Sequence, residues 1–142
     1  MLRKTLGCLL FAVGCWPLVA NGQQQRVSYA SPIDYPITLA GNFGEPRPNH
    51  FHGGIDIKTD NQEGKHIYAI GDGYVSRLTV GISGFGNAVY VTHPEGYTSI
   101  YCHLKRFAPK LERMIDRQAA KGEPIDVRFT ALDFPVAQGQ FI

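Results

Sequence analysis

The chain is organised around one stretch, Asn49-His50-Phe51-His52-Gly53-Gly54-Ile55-Asp56-Ile57. Each of its two adjacent glycines would cost a helix interior about 1 kcal/mol, and apolar side chains alternate with polar ones as a strand requires. The pattern therefore predicts a locally bent strand. His52 and Asp56 then point to one side of the strand, because successive side chains alternate between faces. The apolar residues are predicted to enter the core from the other side: Phe51, Ile55 and Ile57.

Two side chains of this stretch are candidate metal ligands. An imidazole and a carboxylate are groups that zinc accepts, at about 2.0 to 2.2 Å each, so His52 and Asp56 together indicate a metal site that needs further ligands from elsewhere. The alternative is a polar strand face over solvent. His50 shares this face, and we expect it to hydrogen-bond around the site or to face solvent rather than to bind metal.

The N-terminus has the pattern of an export signal. Arg3 and Lys4 precede an apolar run over 6–20, which is shorter than the roughly 20 residues of a spanning helix and typical of a signal peptide. We therefore predict a signal peptide over 1–22, removed before about Gln23, and a mature protein without a transmembrane segment in the periplasm or cell envelope. A faint lipoprotein-type box leaves lipidation at Cys15 as a weaker alternative, because the box lacks the usual leucine.

The mature composition excludes two classes of protein. Residues 1–22 contain two of the 14 basic residues and none of the 12 acidic ones, so the mature chain has no formal net charge. Nothing in this balance indicates nucleic-acid binding. Cys102 is the only cysteine after residue 22, which excludes an internal disulfide framework.

After a polar segment over 23–31, predicted to be flexible, the chain forms one domain over 32–142. Short strand-like runs alternate with turn signals. The Asp-Gly turn at 71–73 predicts a hairpin within 65–80, and Pro94-Glu95-Gly96 predicts a tight reversal between two further strands, 87–93 and 97–104.

The period then changes to that of a helix. Apolar residues recur at helical spacing between Pro109, a favoured first residue, and Gly122, a favoured residue after the end; they are Leu111, Met114, Ile115 and Ala119. We predict a helix over 109–121, packed on the sheet as an insertion, and a return to strand over 134–142. The fold class is therefore mainly β: an antiparallel sandwich with one amphipathic helical insert.

The strand over 97–104 contains a third histidine of interest. Alternation places Ser99, Tyr101 and His103 on one face, pointing out of the core, and Cys102 on the opposite, apolar face. A single histidine at a strand edge is more often a surface residue than a catalyst. Cys102 is predicted to be a small core residue, which disfavours a cysteine protease.

Two other kinds of site are disfavoured by their context. The glycines over 81–86 precede a strand, so the helix N-terminus of a phosphate site is missing. A biotinyl or lipoyl carrier needs a lysine at a hairpin tip, and neither 71–73 nor 94–96 contains one.

Six short motifs follow one another along the chain: His52-x-x-x-Asp56, Gly71-Asp72-Gly73-Tyr74-Val75, Gly84-Phe85-Gly86-Asn87, His93-Pro94-Glu95-Gly96, Tyr101-Cys102-His103-Leu104 and Val136-x-x-Gly139-x-x-Ile142. Together they resemble the lysostaphin-type (LytM-like) zinc endopeptidases, which cut peptide bridges of bacterial peptidoglycan. The resemblance runs from about Gly41 to Ile142 and is interrupted by the predicted helix.

The resemblance implies a cofactor and a role for each matching residue. Zinc is the implied cofactor, with His52 and Asp56 as two of its ligands. The histidine of the family's Tyr-x-His-Leu motif lines the site without binding zinc, so His103 is implied to steady the attacked carbonyl or the transition state. A peptidoglycan peptide is the implied substrate, and the need for an activator protein is left open.

Part of the family pattern has no counterpart here. The family's third ligand is the second histidine of a His-x-His pair, and the first histidine of that pair is its proposed general base. We therefore expect a peptidase domain that is incomplete after Ile142 and is an inactive fragment as given, since three protein ligands are needed to hold zinc with one position open. The alternative function is a non-catalytic relative that binds peptidoglycan or regulates a hydrolase.

Overall fold

A computed structural model describes residues 27–81, 84–122 and 125–142. Within these ranges the elements are β1 (Leu39–Gly41), β2 (Asp56–Ile57), β3 (Gly73–Thr79), β4 (Ala88–Thr92), β5 (Thr98–Tyr101), α1 (Pro109–Ala120), β6 (Asp126–Arg128) and β7 (Pro135–Val136). β1 and β2 form a two-stranded sheet. The other strands form a sheet of order β5-β4-β3-β6, with β7 also paired to β3, and all pairings are antiparallel. The predicted class, mainly antiparallel β with one inserted helix, is confirmed.

The core lies on the central strands β3 and β4. Val75 and Leu78 are each 1% exposed although they are three residues apart, which simple alternation does not allow. The β3–β4 register shifts between Val75 and Arg77, and such an irregularity turns the following residues to the other face. Both apolar side chains can therefore pack against Val89 and Val91 of β4.

The hairpin of β4 and β5 forms at the predicted turn, where the Gly96 N–H donates to the His93 carbonyl at 3.0 Å. The predicted faces of β5 are wrong. Tyr101 is buried at 8% exposure and Ile100 is 46% exposed. The tyrosine can enter the core because its hydroxyl accepts a hydrogen bond from the Ile70 N–H at 2.9 Å and lies 3.0 Å from Ser99 Oγ, so its polar tip is satisfied there.

His93 is buried, at 4% exposure, and has a structural role. Its Nδ1 is 2.7 Å from the Asp72 carbonyl oxygen and its Nε2 is 2.9 Å from Ser99 Oγ. Because a carbonyl only accepts, Nδ1 carries a proton in this contact. The ring thus joins the turn before β3 to β5.

The helix is confirmed almost to the residue. Pro109 occupies its first turn, Leu111 is buried, and Met114 and Ile115 pack partly against the core. Gly122 follows the helix with φ +71°, a conformation that glycine adopts without strain. No helix of the described ranges is long and apolar enough to cross a membrane.

The hairpin predicted within 65–80 does not form. Only its second half is a strand, β3, whereas Tyr68 makes a single bridge to Phe141. The backbone over 67–69 is instead bonded to the chain end, with Ala69 N–H to the Gln140 carbonyl at 2.8 Å and Ile142 N–H to the Ile67 carbonyl at 3.1 Å. These bonds take the place of the pairing with β3 predicted for the first half of the hairpin. The strand predicted over 134–142 is regular only at β7, Pro135–Val136.

Residues 27–31 of the N-terminal segment contact the domain. The Ala30 N–H donates to the Ile70 carbonyl at 2.7 Å, and Gln138 Nε2 donates to the Ser28 carbonyl at 2.7 Å. The predicted signal peptide over 1–22 and residues 23–26 lie outside the described ranges, so the predicted segment boundaries stay predictions.

Candidate functional site

The predicted metal ligands lie on a narrow antiparallel ribbon, residues 38–58. Backbone hydrogen bonds join its two arms. At the open end the Lys58 N–H donates to the Thr38 carbonyl at 2.8 Å, and near the tip the Arg47 N–H donates to the His50 carbonyl at 2.9 Å. Only Asp56–Ile57 of the predicted continuous strand is regular. The reason is the Gly53–Gly54 pair, which lies between the paired segments and makes no strand pairing of its own.

The ribbon does not send its apolar side chains into the core. Phe51 is 73% exposed and Ile55 is 51% exposed, while Ile57 is half-buried. The prediction that all three enter the core is therefore wrong. It assumed regular alternation along one strand, and the glycine pair breaks that alternation.

The ribbon nevertheless brings the two predicted ligands together. His52 Nε2 lies 3.2 Å from Asp56 Oδ1. The His52 backbone fixes this position, since its N–H donates to the Glu45 carbonyl at 2.8 Å and its carbonyl accepts from the Gly44 N–H at 2.8 Å. The pair thus depends on cross-ribbon bonds rather than on a regular strand.

The other nitrogen of His52 faces a carbonyl oxygen. Nδ1 is 2.9 Å from the Asn42 carbonyl, which requires a proton on Nδ1. A ring protonated there alone has a free lone pair on Nε2, beside Asp56 Oδ1. A backbone carbonyl on the non-ligating nitrogen is the usual partner of a metal-binding histidine, so the donor set of this pair fits a divalent metal ion.

Arg47 is the residue of this site that sequence reasoning missed. Its Nη2 lies 2.8 Å from Asp56 Oδ2 and 3.1 Å from Glu45 Oε2, and the hydrogen bond to Asp56 is the main cause that raises the pKa of Arg47. The only sequence signal was a basic residue in a proline-rich loop nine residues before an aspartate.

Gly41 leaves the space in which this ion pair lies. It is paired with Asp56 across β1 and β2. A Cβ at position 41 would lie 2.4 Å from Asp56 Oδ2 and 2.6 Å from Arg47 Nη2, closer than any side chain tolerates. A residue larger than glycine would therefore displace both charged groups.

His103 lies outside the ribbon, directly after β5. It is exposed, as predicted, but not because it alternates on a strand: pairing ends at Tyr101 and His103 has φ +57°. Its N–H donates to the Phe85 carbonyl at 2.9 Å. A positive φ at a non-glycine residue is uncommon and is enriched at functional sites.

This conformation places His103 against the loop that contains Gly86. A Cβ built on Gly86 would lie 3.7 Å from His103 Nδ1, so two of the six motifs meet here. In the described part of the chain, no hydrogen bond or ion pair joins His103 to His52 or Asp56. Its assignment to their site stays a prediction.

Cys102 is a half-buried free thiol. Burial raises its pKa, which disfavours the nucleophilic thiolate. This agrees with the expectation that Cys102 is not a catalytic nucleophile.

The described ranges contain no group of three histidine, cysteine, aspartate or glutamate side chains placed to hold a metal ion. As predicted ligands, His52 and Asp56 would supply two positions of a metal shell. Their donor atoms suit zinc, but the described residues do not complete a site.

Comparison with known proteins gives one match. The family described as Peptidase family M23 matches residues 50–125, just over half of the 142 residues. The matched range contains His52, Asp56 and His103. No curated protein and no solved structure matches the chain.

Proposed function

Because the chain belongs to peptidase family M23, we propose that it is a zinc metalloendopeptidase that hydrolyses peptide cross-links of bacterial peptidoglycan. The proposal places it, after export, in the periplasm or cell envelope. The family match agrees with the resemblance to lysostaphin-type peptidases. The metal, the bond cleaved and the location are the proposed parts.

The observation that carries the proposal is the His52–Asp56 pair. The Asn42 carbonyl holds the His52 ring by Nδ1, so that Nε2 and Asp56 Oδ1, 3.2 Å apart, can converge on one ion. A bound zinc ion would supply a Lewis acid for the scissile carbonyl. The residues of this chain would orient that ion by fixing the ring and the carboxylate before it binds.

His103 is proposed to act on the substrate rather than on the metal. Its exposed side chain is held outward by a backbone with φ +57° and by the N–H bond to Phe85. From this position the ring can donate a hydrogen bond to the oxygen of the attacked peptide group. Such a donor lowers the barrier when it is stronger in the transition state than in the bound substrate.

Zinc content tests the metal assignment. It is measured on the purified full-length protein, meaning this chain together with the His-x-His segment that the family resemblance implies. We expect His52→Ala and Asp56→Ala each to lower the bound zinc strongly, because each removes a ligand. His50→Ala is the matched control, since His50 is exposed on the same ribbon and should retain the zinc of the parent. Undiminished zinc in both ligand variants would contradict the assignment.

Digestion of purified peptidoglycan separates the proposal from its alternative. A peptidase releases new amino termini from the cross-link peptides, and the His52→Ala variant should release none. A protein that only binds peptidoglycan or regulates a hydrolase would sediment with the polymer and release no amino termini even with its zinc bound, which would overturn the proposed activity.

A further inference from the structure

Asp56 has two different partners on its two oxygens. Oδ1 faces His52 Nε2 at 3.2 Å, and Oδ2 accepts a hydrogen bond from Arg47 Nη2 at 2.8 Å. We propose that Arg47 is a positioning residue, which holds Asp56 by Oδ2 so that Oδ1 is presented beside His52 for a divalent metal ion. The inference rests on the proposed function, because it takes Asp56 as a ligand.

The arginine acts through the aspartate, because it cannot bind a metal itself. A guanidinium has only donors and stays protonated. Its Nη2 lies 3.5 Å from His52 Nδ1 and 2.8 Å from Asp56 Oδ2. These are not the two atoms proposed to hold the metal, which are His52 Nε2 and Asp56 Oδ1.

A cation beside a metal site would ordinarily repel the metal, and Glu45 offsets this effect. Glu45 Oε2 lies 3.1 Å from Arg47 Nη2, so one guanidinium lies between two carboxylates. With the charge of Arg47 balanced by Glu45, the charge of Asp56 remains for the metal. We therefore expect orientation of Asp56, and not repulsion, to decide the effect of Arg47.

An ordinary surface ion pair is the competing explanation. The side chains of Arg47 and Asp56 are 35% and 41% exposed, and exposed pairs contribute little to folding stability. Two features go beyond such a pair. Gly41 leaves the space for both charged groups, and Arg47 Nη2 contacts the carboxylates of both Asp56 and Glu45.

The first experiment measures the zinc dissociation constant of the full-length protein by competition with a chelator. We expect Arg47→Gln to weaken zinc binding by about 10- to 100-fold, the usual effect of removing a partner of a ligand. The zinc dissociation constant of Arg47→Lys should lie between those of the parent and Arg47→Gln, because an ammonium keeps the positive charge but lacks the planar fork of the guanidinium. Lys58→Gln, which removes an exposed cation from the same ribbon, is the matched control and should bind as the parent does.

The second experiment moves the ion pair without removing it. In Gly41→Ala the new Cβ meets only the tips of flexible side chains, at 2.4 Å and 2.6 Å, so Asp56 and Arg47 must shift while the backbone can stay. We expect weaker zinc binding with little change in the melting temperature of the metal-free protein. Lys58→Gln is again the control, because it changes an exposed side chain of the same ribbon away from the ion pair.

His52→Ala distinguishes failure of this inference from failure of the proposed function. If His52→Ala leaves zinc binding unchanged, the metal assignment itself is wrong. If His52→Ala abolishes binding while Arg47→Gln and Gly41→Ala bind like the parent, Arg47 is only a surface ion pair and the inference is overturned. Tighter binding by Arg47→Gln would also overturn it, and Gly41→Ala decides the matter if Arg47→Gln does not fold.

Discussion

The ribbon over 38–58 and the sheet of β3, β4 and β5 are held together by different forces. The sheet buries Val75, Leu78 and Val91 almost completely, whereas the ribbon leaves Phe51 and Ile55 largely exposed. The ribbon depends on cross-ribbon backbone bonds and on the charges around Arg47. Stability is therefore concentrated in the sheet, and the predicted metal chemistry lies where hydrophobic burial contributes least.

Removing apolar volume from each region tests where the stability of the protein lies. Leu78→Ala should lower the free energy of unfolding by about 2 to 5 kcal/mol, because it leaves a cavity in a closely packed site. Phe51→Ala should change it by less than about 0.5 kcal/mol, as exposed positions usually do. Denaturant unfolding of the metal-free protein measures both. Comparable losses would show that the ribbon belongs to the same cooperative core.

His103 tests whether the chemistry is confined to the ribbon. His103→Gly removes the imidazole, and glycine accepts φ +57° without strain. If His103 acts on the transition state, kcat and kcat/KM of the full-length enzyme should fall together, by about a hundredfold to a thousandfold.

Zinc content measured on the same samples separates the possible roles of His103. We expect it to remain at the level of the parent. Loss of zinc would make His103 a ligand, and activity within a few-fold of the parent would make it a surface residue without a catalytic role.

The sheet has its own arginine–aspartate pair, the counterpart of Arg47 and Asp56 in the ribbon. Arg77 contacts both oxygens of Asp126, with Nε to Oδ1 and Nη2 to Oδ2 at 2.7 Å each. The hydrogen bond to Arg77 lowers the pKa of Asp126 below its ordinary value of 3.8. The folded state therefore favours the ionised carboxylate, and this contribution is present above the unfolded pKa and is lost as pH falls through the folded pKa.

The expected effect is small, because the Asp126 side chain is 50% exposed. Asp126→Asn should lower stability at neutral pH by less than about 1 kcal/mol, and the difference from the parent should shrink as pH falls below about 4. Urea unfolding at a series of pH values measures this. A difference that stays constant with pH would mean that the charge of Asp126 contributes nothing.

The sequence was most informative where signals are local. The helix from Pro109 and the turn from His93 to Gly96 follow from proline, glycine and apolar spacing within a few residues, and both form as predicted. The predicted side-chain faces failed in the ribbon, where the glycine pair interrupts alternation, and in β5, where alternation holds but the two faces are exchanged. Tyr101 is buried through a hydrogen bond to the backbone of Ile70, a partner 31 residues away that no local pattern reveals.

The candidate site shows the same division. His52 and Asp56 were recognisable from residue type and spacing, and the structure brings them together even though their predicted strand is wrong. Arg47 could not be recognised, because its role depends on a cross-ribbon approach that Gly41 permits. The sequence around a glycine in a short strand does not indicate which side chains will lie in the space that its missing Cβ leaves.

The pairing of Asp56 and His52 within the ribbon bears on the order in which the protein would fold and bind the proposed metal ion. Each side chain already has a partner of this chain, Arg47 for the carboxylate and the Asn42 carbonyl for the imidazole. Small zinc domains fold only when metal joins their ligands, whereas here the apolar core lies in a separate sheet. Folding can thus precede metal loading, so that metal supply would govern the activity of an already folded protein and not the amount of folded protein.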